Sequence, residues 1–362
     1  MVRDARTDRI HLTGTDIWLT GVMVKSGLDI LKQPLKIGNR NIDRRLNLAP
    51  LTFLGHVAFR ELLSEYGGYG LLFTEMCSAK TVLTENRYKS PYFRWRDQER
   101  QRLVCQIFGR EPDIMAQAAE RIQAEGFFGV DINFGCSAGN ICKRRCGAAL
   151  LKSPKEAIRI VAAVRRAVDM PLFVKYRIGW KDDPEFAVEL ARQFEFEGVD
   201  ALTFHPRVAP DRRARPPKWA YIGLVKQAVG IPVYGNGDVF DRKDCEKMLA
   251  QTGCDGIALG RLAVAQPWIF AVWNRDFRAP ADIHGRIAFR LLSLLESHYE
   301  PAAALRRFNR FAYYFASNFT YGHSFYNRIR NTTDLKAAAT ELERFFESPP
   351  QLRSRLNQHY LL

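Results

Sequence analysis

Short apolar segments recur between about residues 43 and 269, and each is followed by a loop and an amphipathic helical pattern. Most of them are apolar on both faces, which is typical of parallel strands covered on both sides. The eight segments are LNLAP (46–50), GLLFTE (70–75), LVCQIF (103–108), VDINF (130–134), LFVKYR (172–177), ALTFH (201–205), PVYGN (232–236) and GIALG (256–260). Eight βα units of about 30 residues predict an α/β fold, a closed (β/α)8 TIM barrel. A doubly wound sheet stays possible, although a GxGxxG turn after the first strand is missing.

Capping residues and glycines mark the ends of the predicted helices. Ser153, Pro154 and Glu156 resemble an N-cap, a first-turn proline and a capping-box glutamate. Other helical patterns stop at a glycine, as a left-handed C-cap requires, and an aspartate soon follows at the entrance of the next strand. The glycine and aspartate pairs are Gly126 and Asp131, Gly198 and Asp200, and Gly253 and Asp255. They form a weak internal repeat.

The two ends of the chain do not follow this repeat. Residues 1–43 form an N-terminal extension in which IHLTGTDIW alternates like a strand and LKIGNRNI resembles a hairpin with its turn at Gly38-Asn39. We expect this extension to plug the N-terminal mouth of a barrel spanning residues 44–275. Residues 276–362 carry long helical patterns with no strand signal, and we expect a separate all-α helical domain. This tail is basic and aromatic, with Arg306, Arg307, Arg310, Tyr313, Tyr314, Tyr321, Arg328 and Arg330.

The charge balance indicates that the predicted barrel has a polyanionic partner. The chain has 54 Lys and Arg against 39 Asp and Glu, a net charge of +15. Such a surplus attracts nucleic acid or an anionic membrane surface, although a soluble protein with a high isoelectric point is the simpler alternative. Seven cysteines, no signal peptide and no long apolar run indicate a cytoplasmic protein without a membrane span.

Polar and glycine residues cluster where the apolar segments end, the place where this fold collects function. They are Pro50, Leu51, Thr52, Gln106, Asn133, Lys175, Arg177, His205, Arg207, Asn236, Gly237, Asp238, Gly260 and Arg261. The glycines after the seventh and eighth strands predict a phosphate site, to which Arg261 adds a forked donor; ordinary tight turns are the alternative. Lys175 and Arg177 share one face of a strand and would reach the same ligand. The amide of Gln106 suits the edge of a flat heterocycle.

Cys136 stands apart from the other cysteines because it follows Gly135 in the loop after the fourth strand, where a thiol can donate a proton to a substrate. Cys105, Cys245 and Cys254 lie in apolar segments and are expected in the core. Cys136, Cys142 and Cys146 have C-x5-C-x3-C spacing, with Cys77 as a further candidate ligand of an iron–sulfur cluster. That spacing matches no strong metal motif, so we expect no metal.

In this order the motifs resemble those of the tRNA-dihydrouridine synthases. The matching stretches run from about residue 44: LAPLT, FTEM, QIFG, DINFGC, KRRCGAALLKSP, VKYRIGW, HPR, GNGD and LGR followed by AQPWIF. The resemblance implies an FMN-containing barrel with a C-terminal helical RNA-binding domain, NADPH as the reductant, and hydride transfer to carbon 6 of a uracil.

The resemblance also implies a role for each site residue. Cys136 would protonate carbon 5 of the uracil, and Asn133 and Arg177 would hold the base, with Arg207 among the substrate contacts. The flavin contacts would be Pro50, Leu51, Thr52, Gln106, Lys175, His205, Asn236, Gly237, Asp238, Gly260 and Arg261. The chain departs from the family pattern at Ser137, where a proline is usual, at Cys142 and Cys146, and in PRVAPDRRARPPKW after His205.

The resemblance leads to a specific expectation about the partner. We expect a monomeric enzyme that flips a tRNA uridine out of its stack. RNA backbone contacts would come from Lys143–Arg145, from the tail, and from the cluster of Arg207, Arg212, Arg213, Arg215 and Lys218. Three alternatives stay open: the same chemistry on ribosomal RNA, a dihydroorotate-dehydrogenase-like barrel acting on a free pyrimidine, and an RNA-binding protein without catalysis.

Overall fold

Eight parallel strands form a ring in the computed structural model, which describes residues 27–211 and 215–361. Seven neighbouring pairs in the ring are joined by parallel ladders in the order β3, β11, β10, β9, β8, β7, β6, β4. The strands are β1 Leu35–Ile37, β2 Arg40–Ile42, β3 Leu46–Leu48, β4 Leu72–Phe73, β5 Cys77–Ser78, β6 Leu103–Phe108, β7 Gly129–Phe134, β8 Leu172–Gly179, β9 Ala201–Val208, β10 Val233–Asn236 and β11 Gly256–Leu259. Of these, β1 and β2 pair only with each other, and the short β5 pairs with β6.

Backbone hydrogen bonds close the ring between its first and second strands. The Gly70 amide donates to the Leu46 carbonyl at 2.9 Å, and the Leu48 amide donates to the Leu71 carbonyl at 3.0 Å. The predicted (β/α)8 barrel is therefore confirmed, and the doubly wound sheet is wrong. All eight predicted apolar segments contain a barrel strand, and most of the residues in each are buried on both faces.

Helices surround the ring and continue beyond it. They are α1 Val57–Tyr66, α2 Ala79–Val82, α3 Pro112–Ala124, α4 Gly139–Lys143, α5 Pro154–Ala167, α6 Pro184–Phe196, α7 Ala220–Ala228, α8 Arg242–Thr252, α9 Arg261–Ala265, α10 Ile269–Asn274, α11 Ile283–His298, α12 Pro301–Phe315, α13 Gly322–Arg330, α14 Leu335–Phe346 and α15 Gln358–Leu361. Four 3-10 segments add Asp29–Lys32, Asp97–Arg102, Gly147–Lys152 and Ala316–Asn318. Among the described residues, no helix is both long and apolar enough to cross a membrane.

The helix ends follow most of the sequence signals. Gly126, Gly198 and Gly253 all have the positive φ of a left-handed C-cap, at +80°, +87° and +62°. Pro154 opens α5, but the side chain of Ser153 makes no capping hydrogen bond there, so the predicted capping box is wrong at that position.

The N-terminal end of the barrel is filled by apolar side chains. The hairpin β1–β2 turns at Gly38 and Asn39, as predicted, and places Ile37 and Ile42 in one cluster with residues from the early positions of the barrel strands. That cluster includes Phe73, Val104, Phe128, Phe173, Ala201 and Tyr234. The strand predicted over residues 10–18, like Arg212 and Arg213, lies outside the described residues.

The helices of the tail pack on the barrel rather than away from it. Helix α11 lies along α1, where His298 Nε2 and Glu61 Oε2 are 2.6 Å apart. Helix α12 contacts α9, and the Asn318 side chain beyond it donates to the Ala265 carbonyl at 2.7 Å. Tyr314 of α12 thereby reaches the C-terminal mouth of the barrel. The tail forms part of the wall above the strand ends.

Candidate active site

One cavity of about 260 Å³ opens at the carboxyl ends of the barrel strands. Parallel strands end at the same rim of a barrel, so polar residues that follow different strands meet there. The sequence-predicted residues that line the cavity are Pro50, Leu51, Thr52, Gln106, Asn133, Cys136, Lys175, Arg177, His205, Arg207, Asn236, Gly237, Asp238, Gly260 and Arg261. The structure therefore brings together every residue singled out at the strand ends and the loop cysteine.

A buried chain of hydrogen bonds crosses the floor of this cavity. Gln106 Nε2 donates to Asp131 Oδ2 at 2.6 Å, and Asn133 Nδ2 donates to Gln106 Oε1 at 2.8 Å. Asn133 Oδ1 in turn accepts the backbone amides of Gly135 at 3.1 Å and Cys136 at 2.9 Å. Because each amide has one donor end and one acceptor end, the carboxylate at one end of the chain fixes the orientation of both amides.

The loop that carries Cys136 is also held from its other side. The Cys136 carbonyl accepts the backbone amide of Ala148 at 2.9 Å, and the Cys142 thiol lies 3.7 Å from the same oxygen. Gly147 has a φ of +62°, and a Cβ on it would lie 2.6 Å from that carbonyl. Only glycine permits this approach. The thiol of Cys136 is therefore presented to the cavity by a loop with little freedom.

Asp131 is a buried carboxylate whose environment favours its neutral form. Burial raises the pKa of Asp131 to about 7, although the hydrogen bond from Gln106 and the charge of Lys175 act in the opposite direction. Its Oδ1 atom has no hydrogen-bond partner among the described residues. A carboxyl group in such a place is common at functional sites.

Lys175 points into the mouth of the barrel, as the sequence predicted. Its Nζ lies 3.1 Å from Asn236 Oδ1. Burial and the neighbouring Arg177 lower the pKa of Lys175 to about 8, while Asp131 and Cys136 raise it. Burial, followed by the charges of Arg177 and Lys175, also keeps the pKa of His205 well below its usual value. His205 is therefore a neutral ring beside two cations, and its Nε2 has no partner within the described part of the chain.

The loops after β10 and β11 meet around one carboxylate. Asp238, at a φ of +52°, contacts Arg207 Nη2 through Oδ2 at 2.7 Å and Arg261 Nη2 through Oδ1 at 2.5 Å. Gly237 has a φ of +119°, and a Cβ there would lie 2.9 Å from His205 Nε2. Arg261 also donates to the Leu361 carbonyl, which ties the end of the described chain to the cavity.

The buried position of Arg207 corrects one expectation. Its side chain is 2% exposed and is paired with Asp238, so it is not part of an exposed basic cluster that grips an RNA backbone. Arg215 of that predicted cluster is exposed, and Lys218 pairs with Asp182. The sequence suggested the exposed cluster because the five cations are close along the chain, but Arg207 is buried and paired with Asp238 in the loop after β10.

Some lining and supporting residues were missed at the sequence level. Met76, Val239, Phe240 and Tyr314 also line the cavity, and Asp131 lies beneath it. Asp131 was expected at a strand entrance like Asp200, which accepts the backbone amide of Leu172 at 2.8 Å. Asp131 instead lies inside β7, two residues before Asn133 and on the same face. The alternation of polar residues in Asp131-Ile132-Asn133 was the available signal.

The remaining cysteines do not gather around a metal. Cys77 is buried against Cys105, while Cys142 and Cys146 lie near Cys136 in the loop after β7. Burial raises the pKa of both Cys142 and Cys146. Within residues 27–211 and 215–361, no group of three or more His, Cys, Asp or Glu side chains is arranged to hold a metal ion.

Comparisons with known proteins agree with this geometry. A family model described as "Dihydrouridine synthase (Dus)" matches residues 47–349. The "Probable tRNA-dihydrouridine synthase 1" of Synechocystis is 35% identical over 249 residues, covering 69% of this chain and 70% of the relative. The "tRNA-dihydrouridine synthase B" of Pseudomonas putida is 31% identical over 324 residues, covering 88% of this chain and 96% of the relative.

A solved structure supports the fold independently of close sequence similarity. Histamine dehydrogenase from Rhizobium matches 74% of this chain with a TM-score of 0.52 at 14% identity, over 51% of its own length. At that identity the likeness bears on the fold alone. The family model, in contrast, covers both the barrel and the helices that follow it. The chain belongs to the dihydrouridine synthase family.

Proposed function

We propose that this chain reduces specific uridines of tRNA to 5,6-dihydrouridine, with FMN bound in the cavity and NADPH as the reductant. The observation that carries the proposal is the meeting of Cys136 with Lys175, His205 and the two glycine loops in one cavity. Family membership and the names of the relatives favour this reaction over reduction of a free pyrimidine.

The residues in the cavity fit a flavin mononucleotide. The Nε2 of His205 has no partner among the described residues, and Gly237 and Gly260 line the cavity beside it, where a Cβ on Gly237 would lie 2.9 Å from that Nε2. Arg207 and Arg261 line the same cavity and carry two positive charges against the single carboxylate of Asp238. A phosphate suits this set of donors. Lys175 and Gln106 would contact the ring system, along with Pro50, Leu51, Thr52 and Asn236.

The roles of the remaining residues follow from their positions. When bound, the flavin supplies the hydride that the uracil accepts at carbon 6. Cys136 donates the proton of its thiol to carbon 5, so a C–H bond forms there as the S–H bond breaks, and the thiolate then takes a proton from solvent. Asn133 holds the Cys136 loop and Arg177 holds the uracil. Arg207 lines the cavity and is held in place by its ion pair with Asp238.

Binding of the RNA would rest on the cations around the mouth. The uridine must leave its stack to enter the cavity, which costs a few kcal/mol that backbone contacts offset. Lys143, Arg144 and Arg145 are exposed beside the Cys136 loop. We propose that residues 276–362 form the RNA-binding part of the chain, acting with the barrel spanning residues 44–275.

The test of the function uses the purified full chain with an unmodified tRNA transcript and NADPH. We expect flavin absorbance in the purified protein and dihydrouridine in the RNA by mass spectrometry. Cys136→Ala should keep the flavin and lose about 10²–10⁴-fold in uridine reduction, the usual range for a positioned proton donor. Cys142→Ser is the matched control: its hydroxyl can still donate to the Cys136 carbonyl, so this variant should retain activity. A colourless protein, or equal turnover by Cys136→Ala, would contradict the proposal.

A further inference from the structure

A second cavity of about 790 Å³ lies beside the candidate active site. It is bounded by α12, by Tyr326 of α13, and by two loops of the barrel. Its lining residues are Phe53, Pro91, Tyr92, Ala303, Arg306, Arg307, Asn309, Arg310, Tyr313, Tyr314 and Tyr326. Tyr314 lines both cavities, and Thr52 of the first precedes Phe53 of the second. The two cavities are therefore neighbouring compartments of one surface.

Phe53 is held in an unfavourable conformation at the boundary between the compartments. Its φ is +65°, in the left-handed region that disfavours a side chain, and the residue is 40% exposed. Strain of this kind persists where the surroundings impose it, and it concentrates at ligand sites.

A buried carboxylate imposes this conformation. Glu75 is fully buried, and its Oε1 accepts the backbone amide of Phe53 at 2.5 Å. The ring of Phe53 then faces the cavity. The centroid of the Phe53 ring lies 6.1 Å from the centroid of the Tyr92 ring and 5.5 Å from the guanidinium carbon of Arg310. The result is a partly exposed aromatic platform with a cation over one face of the ring.

The described charged residues that line the second cavity are all basic. Its lining, as far as the chain is described, has three arginines and no acidic residue. Arg306 and Arg310 are exposed, whereas Arg307 is 7% exposed and donates to the Pro91 carbonyl at 2.9 Å. The Nε of Arg307 and the Oδ1 of Asn309 are buried without a partner among the described residues. The Arg307 Nε–H calls for an acceptor such as a phosphate oxygen, and the Asn309 Oδ1 calls for a donor such as the amino group of a base.

We propose that the second cavity binds the nucleotide next to the target uridine, with its base stacked on Phe53 and its phosphate contacted by Arg306 and Arg310. The inference rests on the proposed function. A planar base suits the exposed ring, and unpaired RNA is recognised by stacking on aromatic and arginine side chains. An acidic peptide matches the arginines but leaves the aromatic platform unused. Holding the neighbouring base stabilises the strand with the uridine turned into the first cavity.

The variant that tests the proposal is Phe53→Gly, because glycine tolerates the positive φ and removes the ring without disturbing the loop. Its melting temperature should equal or exceed that of the wild type. The Kd for an unmodified tRNA transcript, measured by fluorescence anisotropy, should rise about tenfold, within the range expected for one stacked base. Phe53→Trp should retain the wild-type Kd, since tryptophan keeps a stacking surface.

Matched controls separate the subsite from general effects on the surface. Phe196→Ala removes an 88% exposed ring from α6 and should leave the Kd unchanged. Arg310→Ala should weaken binding and reduce its dependence on salt concentration, whereas Arg192→Ala on α6 should do neither. Flavin content and flavin reduction by NADPH without RNA should be the same in all these variants.

The outcomes distinguish failure of the nucleotide subsite from failure of the proposed function. If the wild type reduces tRNA and Phe53→Gly binds and reduces it equally well, the nucleotide subsite is wrong and the proposed function stands. If Phe53→Gly loses its flavin, Phe53 supports the first cavity instead, and the subsite is again wrong. If the flavin-loaded wild type reduces no uridine in tRNA, the proposed function itself fails. An acidic peptide that competes with tRNA equally well in wild type and Phe53→Gly would identify a different ligand.

Discussion

The two ends of the barrel are made from the same strands and have opposite chemistry. At the N-terminal end, Ile37 and Ile42 of the hairpin pack with strand residues such as Phe173 in an apolar cluster. At the C-terminal end, the same strands present Lys175 and Asp131, ionisable groups whose pKa values are displaced by burial towards the neutral form. The N-terminal end is stabilised by packing, whereas the C-terminal end keeps buried ionisable groups that lower the stability of the fold.

The comparison shows how a barrel separates stability from function. Side chains along a strand alternate in direction, so successive inward positions of one strand lie at different depths in the barrel. In β8, Phe173 and Lys175 are two residues apart; the first is in the apolar cluster and the second lines the cavity. A substitution at the depth of Phe173 should therefore change stability, and a substitution at the depth of Lys175 should change ligand binding.

The largest effect is expected at the packed end. Phe173→Ala removes a fully buried ring that packs edge-on against Phe73, with 5.6 Å between centroids. We expect a loss of about 3–5 kcal/mol in the free energy of unfolding, the usual range for Phe-to-Ala changes in a core. Urea unfolding measures this loss, and Phe196→Ala on the surface is the control, with an expected change within about 0.5 kcal/mol. A larger effect on flavin affinity than on stability would break the separation of the two ends.

The second-largest effect is expected at the C-terminal end of the barrel, where a substitution should weaken flavin binding without lowering stability. Lys175→Met removes a cation whose charged form is disfavoured by burial. The ligand-free protein should be no less stable than the wild type below about pH 8, because the folded-state pKa of Lys175 lies below its unfolded value and the charge opposes folding there. Flavin affinity should fall about 10- to 100-fold, as expected for losing a charged hydrogen-bond donor. Equilibrium dialysis at pH 7 measures it, with the exposed Lys243→Met as the control.

The packed end was the easier of the two to predict from the sequence. Apolar segments and a Gly-Asn turn are local signals, so they located the eight strands and the hairpin directly. Lys175 was recognised because a cation inside an apolar segment is itself a local anomaly.

The functional end depends on pairings that no local signal contains. The burial of Arg207 accompanies its contact with Asp238 in the loop after the next strand. Tyr314 reaches the cavity because of how α12 packs on α9, and the strained φ of Phe53 depends on a bond to Glu75. Helical periodicity and spacing fixed none of these three, because they are consequences of tertiary contacts.

The sharpest test of the comparison is expected from Asp131→Asn. The folded-state pKa of Asp131 is about 7, above an unfolded value of about 3.9, so the folded wild type binds more protons between these values. Its stability should therefore fall as the pH rises from about 4 to 7, by at most about 1.4 kcal/mol per pH unit for one group. Asparagine does not titrate, so the variant should gain stability relative to the wild type over that window.

The same variant should lose function while it gains stability. Asparagine can present either its oxygen or its NH2 group to Gln106, whereas an ionised carboxylate can only accept. The amides of Gln106 and Asn133 would then no longer be fixed, and the Cys136 loop held by Asn133 would lose its single arrangement. We expect slower uridine reduction, a flatter pH profile and unchanged RNA affinity. If urea unfolding from pH 4 to 8 shows parallel curves for wild type and variant, the carboxylate is not a source of destabilisation, and the two ends of the barrel differ less than their side chains indicate.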